Sequence, residues 1–226
     1  MDLPPLPTAA VADACVRLQV PVRGAALRPV LPGLAVAGRV LPVRHAGSVD
    51  VFFEALQSAW QGDVLVVDNG GLLDEGCVGD LTALEALHHG VAAIAIDGCH
   101  RDTEALRRLG MPVWSRGAFP FGPRGARPRH AGALLSAEFG GFAVSPGDVV
   151  ALDDDGAVFV PEVDAARVWD LAGRIQQAEA AQAWSAQQGE PLCQQFDIAG
   201  YLAERERDPS ASFRAHLRKL GKAIEE

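Results

Sequence analysis

Lysine is almost missing from this chain. Of 226 residues only two are lysines, Lys219 and Lys222, both in the last eight positions. Chemistry that needs a buried, activated lysine, such as a Schiff base, is therefore excluded from the body of the protein. No apolar run approaches the roughly 18 residues that a membrane-spanning helix requires. The amino-terminal stretch MDLPPLPTAAVADA has neither a basic start nor a secretory core, so a cytoplasmic protein with no membrane partner is expected. The four cysteines, Cys15, Cys77, Cys99 and Cys193, are scattered and no pair has C-x-x-C spacing. They read as free, mostly buried thiols rather than as a metal site. Net charge is -9 and the pI about 5.1, and no basic stripe is present for a nucleic-acid backbone. The basic segment GPRGARPRH, Gly122 to His130, reads as a solvated surface loop, with nucleic-acid binding the lesser alternative.

What is present suits one globular domain with a full core: 49% of residues are hydrophobic and 22% charged. Thr8 to Cys15 reads as the start of a helix, with Thr8 as its N-cap. Leu34 to Val43 reads as a strand. Val49, Phe52, Phe53, Leu56 and Trp60 fall on one face of a helix that Gly62 ends. Val64 to Val67 is a buried strand running into the polar loop Asp68-Asn69-Gly70-Gly71. Leu81, Leu84 and Leu87 give a second helix, ended by Gly90. Val91 to Ile96 is a further strand, closed by Asp97-Gly98, and the helix TEALRRLG and strand MPVWSRG follow. Strand, helix, strand, helix, strand implies parallel strands with crossover helices, an α/β protein. In VSPGDVVALDDDGAVFVP two β-rich runs flank DDDG, a hairpin signal. The triple aspartate lacks the spacing and closing glutamate of a calcium loop. A long amphipathic helix begins after Pro161, with Val163, Ala166, Val168, Leu171, Ile175 and Ala178 as its stripe. The divisions expected are a domain over residues 1–190 and a helical extension over 191–226. A final helix runs from Ser212 to Glu226, with Phe213, Leu217 and Leu220 on one side.

The chemistry gathers at Arg101-Asp102, where a strand gives way to a helix. Asp102 could simply cap that helix and Arg101 make a surface ion pair. The wider arrangement offers another role. In an α/β sheet, ligands bind at the carboxyl ends of the strands. Asp68 to Gly71, Gly79-Asp80 and Asp97 to Asp102 should converge there. The sequence GDLTAL supplies free backbone N–H groups at a helix start, an anion site. Arg101 could clamp a carboxylate through two parallel bonds. Asp102 and Asp80 could hold a hard cation such as Mg²⁺, which takes one or two carboxylates and keeps several waters. Such a site fits a small 2-oxo acid, whose cleavage leaves an enolate for the cation and Arg101 to stabilise.

At these residues the sequence resembles the class II, metal-dependent 4-hydroxy-4-methyl-2-oxoglutarate / 4-carboxy-4-hydroxy-2-oxoadipate aldolases. These form part of the RraA-like family, named after regulator of ribonuclease activity A. The shared motif is an aspartate, twenty residues, then Arg-Asp; here it is Asp80 followed by Arg101-Asp102. GDVLVVD, VAAIAIDG..RD, PVWSRG and PGDVVALDDDGAVFVP are similar to family blocks, and the resemblance covers roughly Thr8 to Glu190. It implies a layered α/β/β/α fold with a C-terminal helical extension, assembled as a homotrimer or homohexamer. It implies Mg²⁺, Mn²⁺ or another divalent metal held directly by Asp102. Asp80 would act through metal-bound water, and so would Glu179 of an adjacent subunit. It further implies Arg101 at the keto oxygen and carboxylate of the substrate, and the amides of Gly79, Asp80, Leu81 and Thr82 at the pyruvyl carboxylate. The chain departs from the family at Cys99 and His100. His100 could serve as an acid or base, bind a distal carboxylate of the substrate, or pair with a surface acid. The expected activity is retro-aldol release of pyruvate together with oxaloacetate decarboxylation, and the sequence does not rank the two. The alternative is a non-catalytic binding protein of the ribonuclease-regulator type.

Overall fold

The structure is a computed structural model describing residues 3–221. Its strands are β1 (Arg23–Ala25), β2 (Arg28–Pro29), β3 (Val36–Arg44), β4 (Val64–Asp68), β5 (Gly76–Val78), β6 (Ala93–His100), β7 (Val113–Ala118), β8 (Ala137–Phe139), β9 (Phe142–Val144), β10 (Asp148–Asp153) and β11 (Gly156–Pro161). Its helices are α1 (Thr8–Arg17), α2 (Asp50–Leu56), α3 (Asp80–His88), α4 (Thr103–Leu109), α5 (Glu162–Gln187), α6 (Leu192–Gln195), α7 (Ile198–Arg207) and α8 (Phe213–Lys219). The chain divides into a first compact unit ending at Asp170 and a second beginning at Leu171, so the division falls inside α5.

The first unit is built on one curled sheet ordered β1-β11-β10-β3-β4-β6-β7-β2, with β5 also paired to β6. The strand β3 joins its two halves. Val36 to Arg39 pair antiparallel with β10, and Val40 to Arg44 pair parallel with β4. Strands β4, β6 and β7 continue the parallel half, as the alternation of strand and helix in the sequence requires. Side chains alternate across these strands. Leu65, Val67, Ile94 and Ile96 face α2, α3 and α4, while Val64, Val66, Ala93 and Ala95 face the interior of the curl. There they meet Val150, Leu152 and Phe159 of the antiparallel half, whose outer side carries α1. The layers are therefore α/β/β/α. The hairpin expected at the triple aspartate is present, with Asp154 and Asp155 at the turn between β10 and β11.

Several local expectations are corrected. Thr8 does not cap α1; Pro7 holds that position, and Thr8 donates both its N–H and its hydroxyl to the Asp153 carboxylate, each at 2.7 Å. The buried face of α2 is Val51, Phe52, Ala55 and Leu56; Val49, Phe53 and Trp60 are exposed. Trp60 lies beyond the helix end and stacks under the Arg39 guanidinium at 4.5 Å, which accounts for a large ring at the surface. Helix α3 buries Thr82, Ala83 and Ala86, while Leu81 is 76% exposed and Leu84 is also exposed. Small residues let the helix approach the sheet closely, and the leucines turn outward. On α5 the stripe residues Val168 and Ile175 are buried as expected, whereas Val163 is 90% exposed and Ala166 also faces out, their places taken by Ala165 and Trp169. Strand β6 does not end at Ile96. A register shift between Ile96 and Cys99 lets it run on to His100, and Gly98 there has φ 156°, a bulge geometry suited to glycine.

The second unit holds the rest of α5 with α6, α7 and α8. Gln195 Nε2 donates to the carbonyls of Gln182 and Glu190, and His216 donates from Nε2 to the Phe196 carbonyl at 2.9 Å. Tyr201 and Phe213 pack with ring centroids 5.2 Å apart. Ser212 caps α8, its side chain accepting from Ala215 N–H, and residues 222–226 of the expected final helix, with Lys222, lie outside the described residues.

Phe159 tests the inner core. It is fully buried against Phe139 and Phe142, with centroids 5.2 and 5.6 Å away. Phe159→Ala is expected to cost about 3–5 kcal/mol in urea denaturation. A loss under about 1 kcal/mol would mean that the two sheet halves are not packed through this ring.

Candidate active site

The carboxyl ends of β3, β5 and β6 and the start of α3 enclose a cleft of about 190 Å³. It is lined by His45, Gly47, Val49, Phe53, Gly76, Cys77, Gly79, Asp80, Leu81, Thr82, Arg101 and Pro123. The structure thus brings together Gly79, Asp80, Leu81, Thr82 and Arg101. Gly79 is extended at the N-cap of α3 and provides no capping side chain. The first intrahelical bond is Ala83 N–H to the Gly79 carbonyl at 3.1 Å, so the N–H groups before it have no intrahelical partner at the positive end of the helix dipole. Asp80 Oδ1 accepts from Leu81 N–H at 2.8 Å.

Arg101 follows β6 directly and lies in a cradle of glycines. A Cβ on Gly122 would come 2.8 Å from Arg101 Nη1, and one on Gly76 would come 3.0 Å from its Cβ. A Cβ on Gly79 would collide with Asp102 Oδ2. Three positions without side chains thus give room to an arginine and a carboxylate at one edge of the cleft. Arg101 Nε and Asp102 Oδ2 are 3.5 Å apart and both side chains are about half exposed, so the pair itself adds little stability. Asp102 is the N-cap residue of α4, yet its side chain makes no capping bond. Its backbone is left-handed, φ 58° and ψ 37°, a conformation that costs a non-glycine residue about 1–2 kcal/mol. The capping role is therefore ruled out, and the left-handed backbone turns the carboxylate toward Arg101 instead.

The other acidic loops differ. Asp97 is buried, pairs with Arg116 and accepts from Gly140 N–H at 2.9 Å. Asp68 accepts from Gly70 N–H at 2.9 Å and Glu138 N–H at 3.0 Å. Both hold loops. His100 is 5% exposed and does not line the cleft. Its Nδ1 bonds Ser115 Oγ at 2.7 Å and its Nε2 bonds Thr103 Oγ1 at 2.9 Å. Burial, then the Arg107 charge, holds its pKa below the ordinary histidine value. It is a satisfied core histidine rather than a substrate contact. Glu179 is exposed on the part of α5 that belongs to the second unit.

Two cleft residues carried no signal in the sequence reading. Cys77 is buried on β5, and desolvation, then the Glu75 charge, pushes its thiol far up, so it is no thiolate ligand. His45 is 4% exposed, and its Nδ1 bonds Asn69 Oδ1 at 2.8 Å. Its Nε2 is buried with no hydrogen-bond partner, a condition that costs roughly 1–3 kcal/mol. Burial lowers the His45 pKa, against the opposing pull of Asn69, so the ring is neutral at neutral pH. Only the DNGG turn, which supplies Asn69, could have pointed to it.

The donor set fits a hard divalent cation. Asp80 and Asp102 offer oxygen ligands, in the number that suits Mg²⁺ retaining most of its waters. Among the described residues no group of three or more His, Cys, Asp or Glu is placed to enclose an ion.

The first unit is thus a layered α/β/β/α domain that places an arginine, a helix start and two carboxylates near the ends of its parallel strands. The family model described as RraA-like, Aldolase/RraA, matches residues 8–159, and the chain belongs to this family. A Deinococcus radiodurans relative with the provisional name 4-hydroxy-4-methyl-2-oxoglutarate aldolase is 30% identical over 67% of this chain and 92% of its own length. The crystal structure of an uncharacterised protein from Pseudomonas syringae superposes with a TM-score of 0.72 at 26% identity, covering 81% of this chain and 89% of that one. Streptomyces coelicolor RraAS2, described as an unusual member of the RNase ES inhibitor RraA family, superposes with a TM-score of 0.65 at 30% identity, over 75% and 89% of the two chains. Relatives thus bear both aldolase and ribonuclease-inhibitor names. Among the described residues no helix is long and apolar enough to cross a membrane.

Asp102→Gly separates aim from stability, because glycine adopts the left-handed turn freely. The variant is expected to match the parent in urea denaturation or to exceed it by up to about 1 kcal/mol. A loss above about 2 kcal/mol would show that the carboxylate holds the fold.

Proposed function

We propose that the protein is a divalent-metal-dependent carbon–carbon lyase. It cleaves a 4-hydroxy-2-oxo acid of the 4-hydroxy-4-methyl-2-oxoglutarate type to pyruvate, and decarboxylates oxaloacetate through the same enolate. The observation that carries this reading is the Asp102 carboxylate, which caps no helix N–H and is held by a left-handed turn in a half-exposed pair with Arg101, beside the start of α3. A cation bound by Asp102, with Asp80 reaching it through water, supplies Lewis acidity toward the developing enolate charge.

The chain's own groups do the remaining work. The N–H groups at the start of α3 and the dipole behind them hold the pyruvyl carboxylate. The planar Arg101 guanidinium contacts the keto oxygen and carboxylate region, and its fixed fork orients the 2-oxo acid so that the C3–C4 bond is in place to break. As negative charge gathers on the keto oxygen, Arg101 stabilises it without moving, because its glycine cradle has already positioned it. Exposed Val49 and Phe53 give the cleft an apolar wall, which suits a 4-methyl substituent. The reading includes assembly as a homotrimer or homohexamer in the cytoplasm, with Glu179 of an adjacent subunit contacting metal waters.

Pyruvate release is to be measured from oxaloacetate and from 4-hydroxy-4-methyl-2-oxoglutarate, with Mg²⁺, with Mn²⁺ and with a chelator. Release is expected with either metal and is abolished by the chelator. Asp102→Ala removes it, and Arg101→Lys lowers kcat by about 100-fold, the usual loss when one charge-stabilising donor is withdrawn. Metal-independent release, or full activity in Asp102→Ala, would overturn the assignment. No release from either substrate by a folded protein would instead favour a binding role like that named for the Streptomyces relative.

A further inference from the structure

Retro-aldol cleavage, the reaction on which this inference rests, requires the C4 hydroxyl proton to leave as the C3–C4 bond breaks. The groups assigned so far do not accept it. Arg101 has no lone pair to offer, and Asp80 and Asp102 are assigned to the cation. Among the described residues that line the cleft, one buried side-chain atom has no hydrogen-bond partner, and it is a ring nitrogen able to carry a lone pair. His45 lines it, is 4% exposed, and has an unpartnered, buried Nε2.

We propose that His45 is the acid–base residue of the cleft, its Nε2 taking the C4 hydroxyl proton of the 4-hydroxy-2-oxo acid and returning it to C3. Three features of the fold prepare the ring for this. Asn69 Oδ1 accepts from Nδ1 at 2.8 Å, which leaves the lone pair on Nε2. The ring stacks on Phe52, centroids 5.2 Å apart and planes within 5°, which fixes its plane. Asn69 is itself held through its backbone, its N–H donating to the Asp97 carbonyl at 3.2 Å. Base and orienting group thus stand in the relation expected of a general base, with a neutral amide in place of a carboxylate. An amide fixes the tautomer and favours the imidazolium less than burial disfavours it, so the His45 pKa stays below its ordinary value. The charged groups around the ring are Glu75 and Arg127, which pair with each other at 3.3 Å, together with Asp50. Asp68 and His130 line a second cavity that His45 also borders, and Asp80 and Arg101 line the cleft.

The step balances. The O–H proton moves to Nε2 and the O–H electron pair forms the C4 carbonyl. The C3–C4 pair becomes the C2–C3 double bond as the C2 carbonyl pair moves to oxygen, giving pyruvate enolate. The imidazolium then protonates C3, the C2 carbonyl re-forms, and His45 is neutral again. Oxaloacetate has no hydroxyl proton to remove, and carbon dioxide leaves without a base. The two reactions therefore separate His45 from the groups that serve both.

The test compares His45→Gln with the parent as metal-loaded full chains, reading pyruvate from 4-hydroxy-4-methyl-2-oxoglutarate and carbon dioxide from oxaloacetate. The ratio of retro-aldol to decarboxylation kcat is expected to fall about 100-fold or more, within the usual range for general base catalysis. Asn69→Asp gives a second readout that does not depend on replacing the ring. A carboxylate at Nδ1 favours the imidazolium, so the acidic limb of the retro-aldol pH profile moves to higher pH. An unchanged ratio in His45→Gln overturns the proposal, whether both activities persist or both fall together, since a ring that only fills space or binds a resident water would act on both. An unmoved limb in Asn69→Asp also overturns it. If the parent releases neither product, the lyase reading itself fails and this proposal with it, a result visible before any variant is compared.

Discussion

Burial of β4 and β6 on both faces is the constraint from which the rest of the first unit follows. Leu65, Val67, Ile94 and Ile96 need a helical layer on one side, and Val64, Val66, Ala93 and Ala95 need a second sheet layer on the other. Parallel strands covered on both faces leave only their ends accessible. The helices on the outer face require crossovers, so the loops at the carboxyl ends all lead into helix starts. The site is at that edge because the two-sided core leaves it nowhere else. Alanine on the inner face of β6 and isoleucine on its outer face also set the spacing: small residues admit the second sheet, and large ones meet the helices.

The order of elements was legible because it rests on period and punctuation. Alternating strands and helices, the glycines that end them, and the Asp153 to Gly156 turn are local properties of the chain. The faces of the helices were less legible. Three leucines in α3 outweigh its alanines on any hydrophobicity scale, yet close approach to the sheet selects Ala83 and Ala86 for burial and turns Leu81 into the cleft wall. Thr8 fits an N-cap by sequence, but the Asp153 carboxylate 145 residues away captures its hydroxyl. Such outcomes depend on partners distant in sequence, and no local window contains them.

The same division runs through the site. Asp80, Arg101 and Asp102 were legible because their spacing and residue types carry a family pattern. The left-handed turn at Asp102 and the glycine cradle of Arg101 were not, since both depend on how β5, β6 and α3 meet. His100 was singled out because it adjoins the motif, and the structure turns it inward to Ser115 and Thr103. Strand alternation decides this: Arg101 follows His100 directly, and adjacent residues leaving a strand point to opposite sides.

His45 and His100 are equally buried, and their pKa values are lowered by the same primary cause. Their difference lies in satisfaction. Both nitrogens of His100 have hydroxyl partners, so its position is explained by the fold alone. His45 has a partner on one nitrogen and a void of hydrogen bonding at the other. A core that keeps an acceptor unpaired gives up stability that a simple apolar side chain would restore. The left-handed Asp102 does the same directly after Arg101, where glycine would relieve the backbone. The buried acids of the first unit, Asp63, Glu75, Asp97 and Asp148, are by contrast all paired with arginines. An unpaired ring nitrogen on the cleft wall and a left-handed acid adjoining a cleft arginine are interactions that a fold can reserve for a ligand.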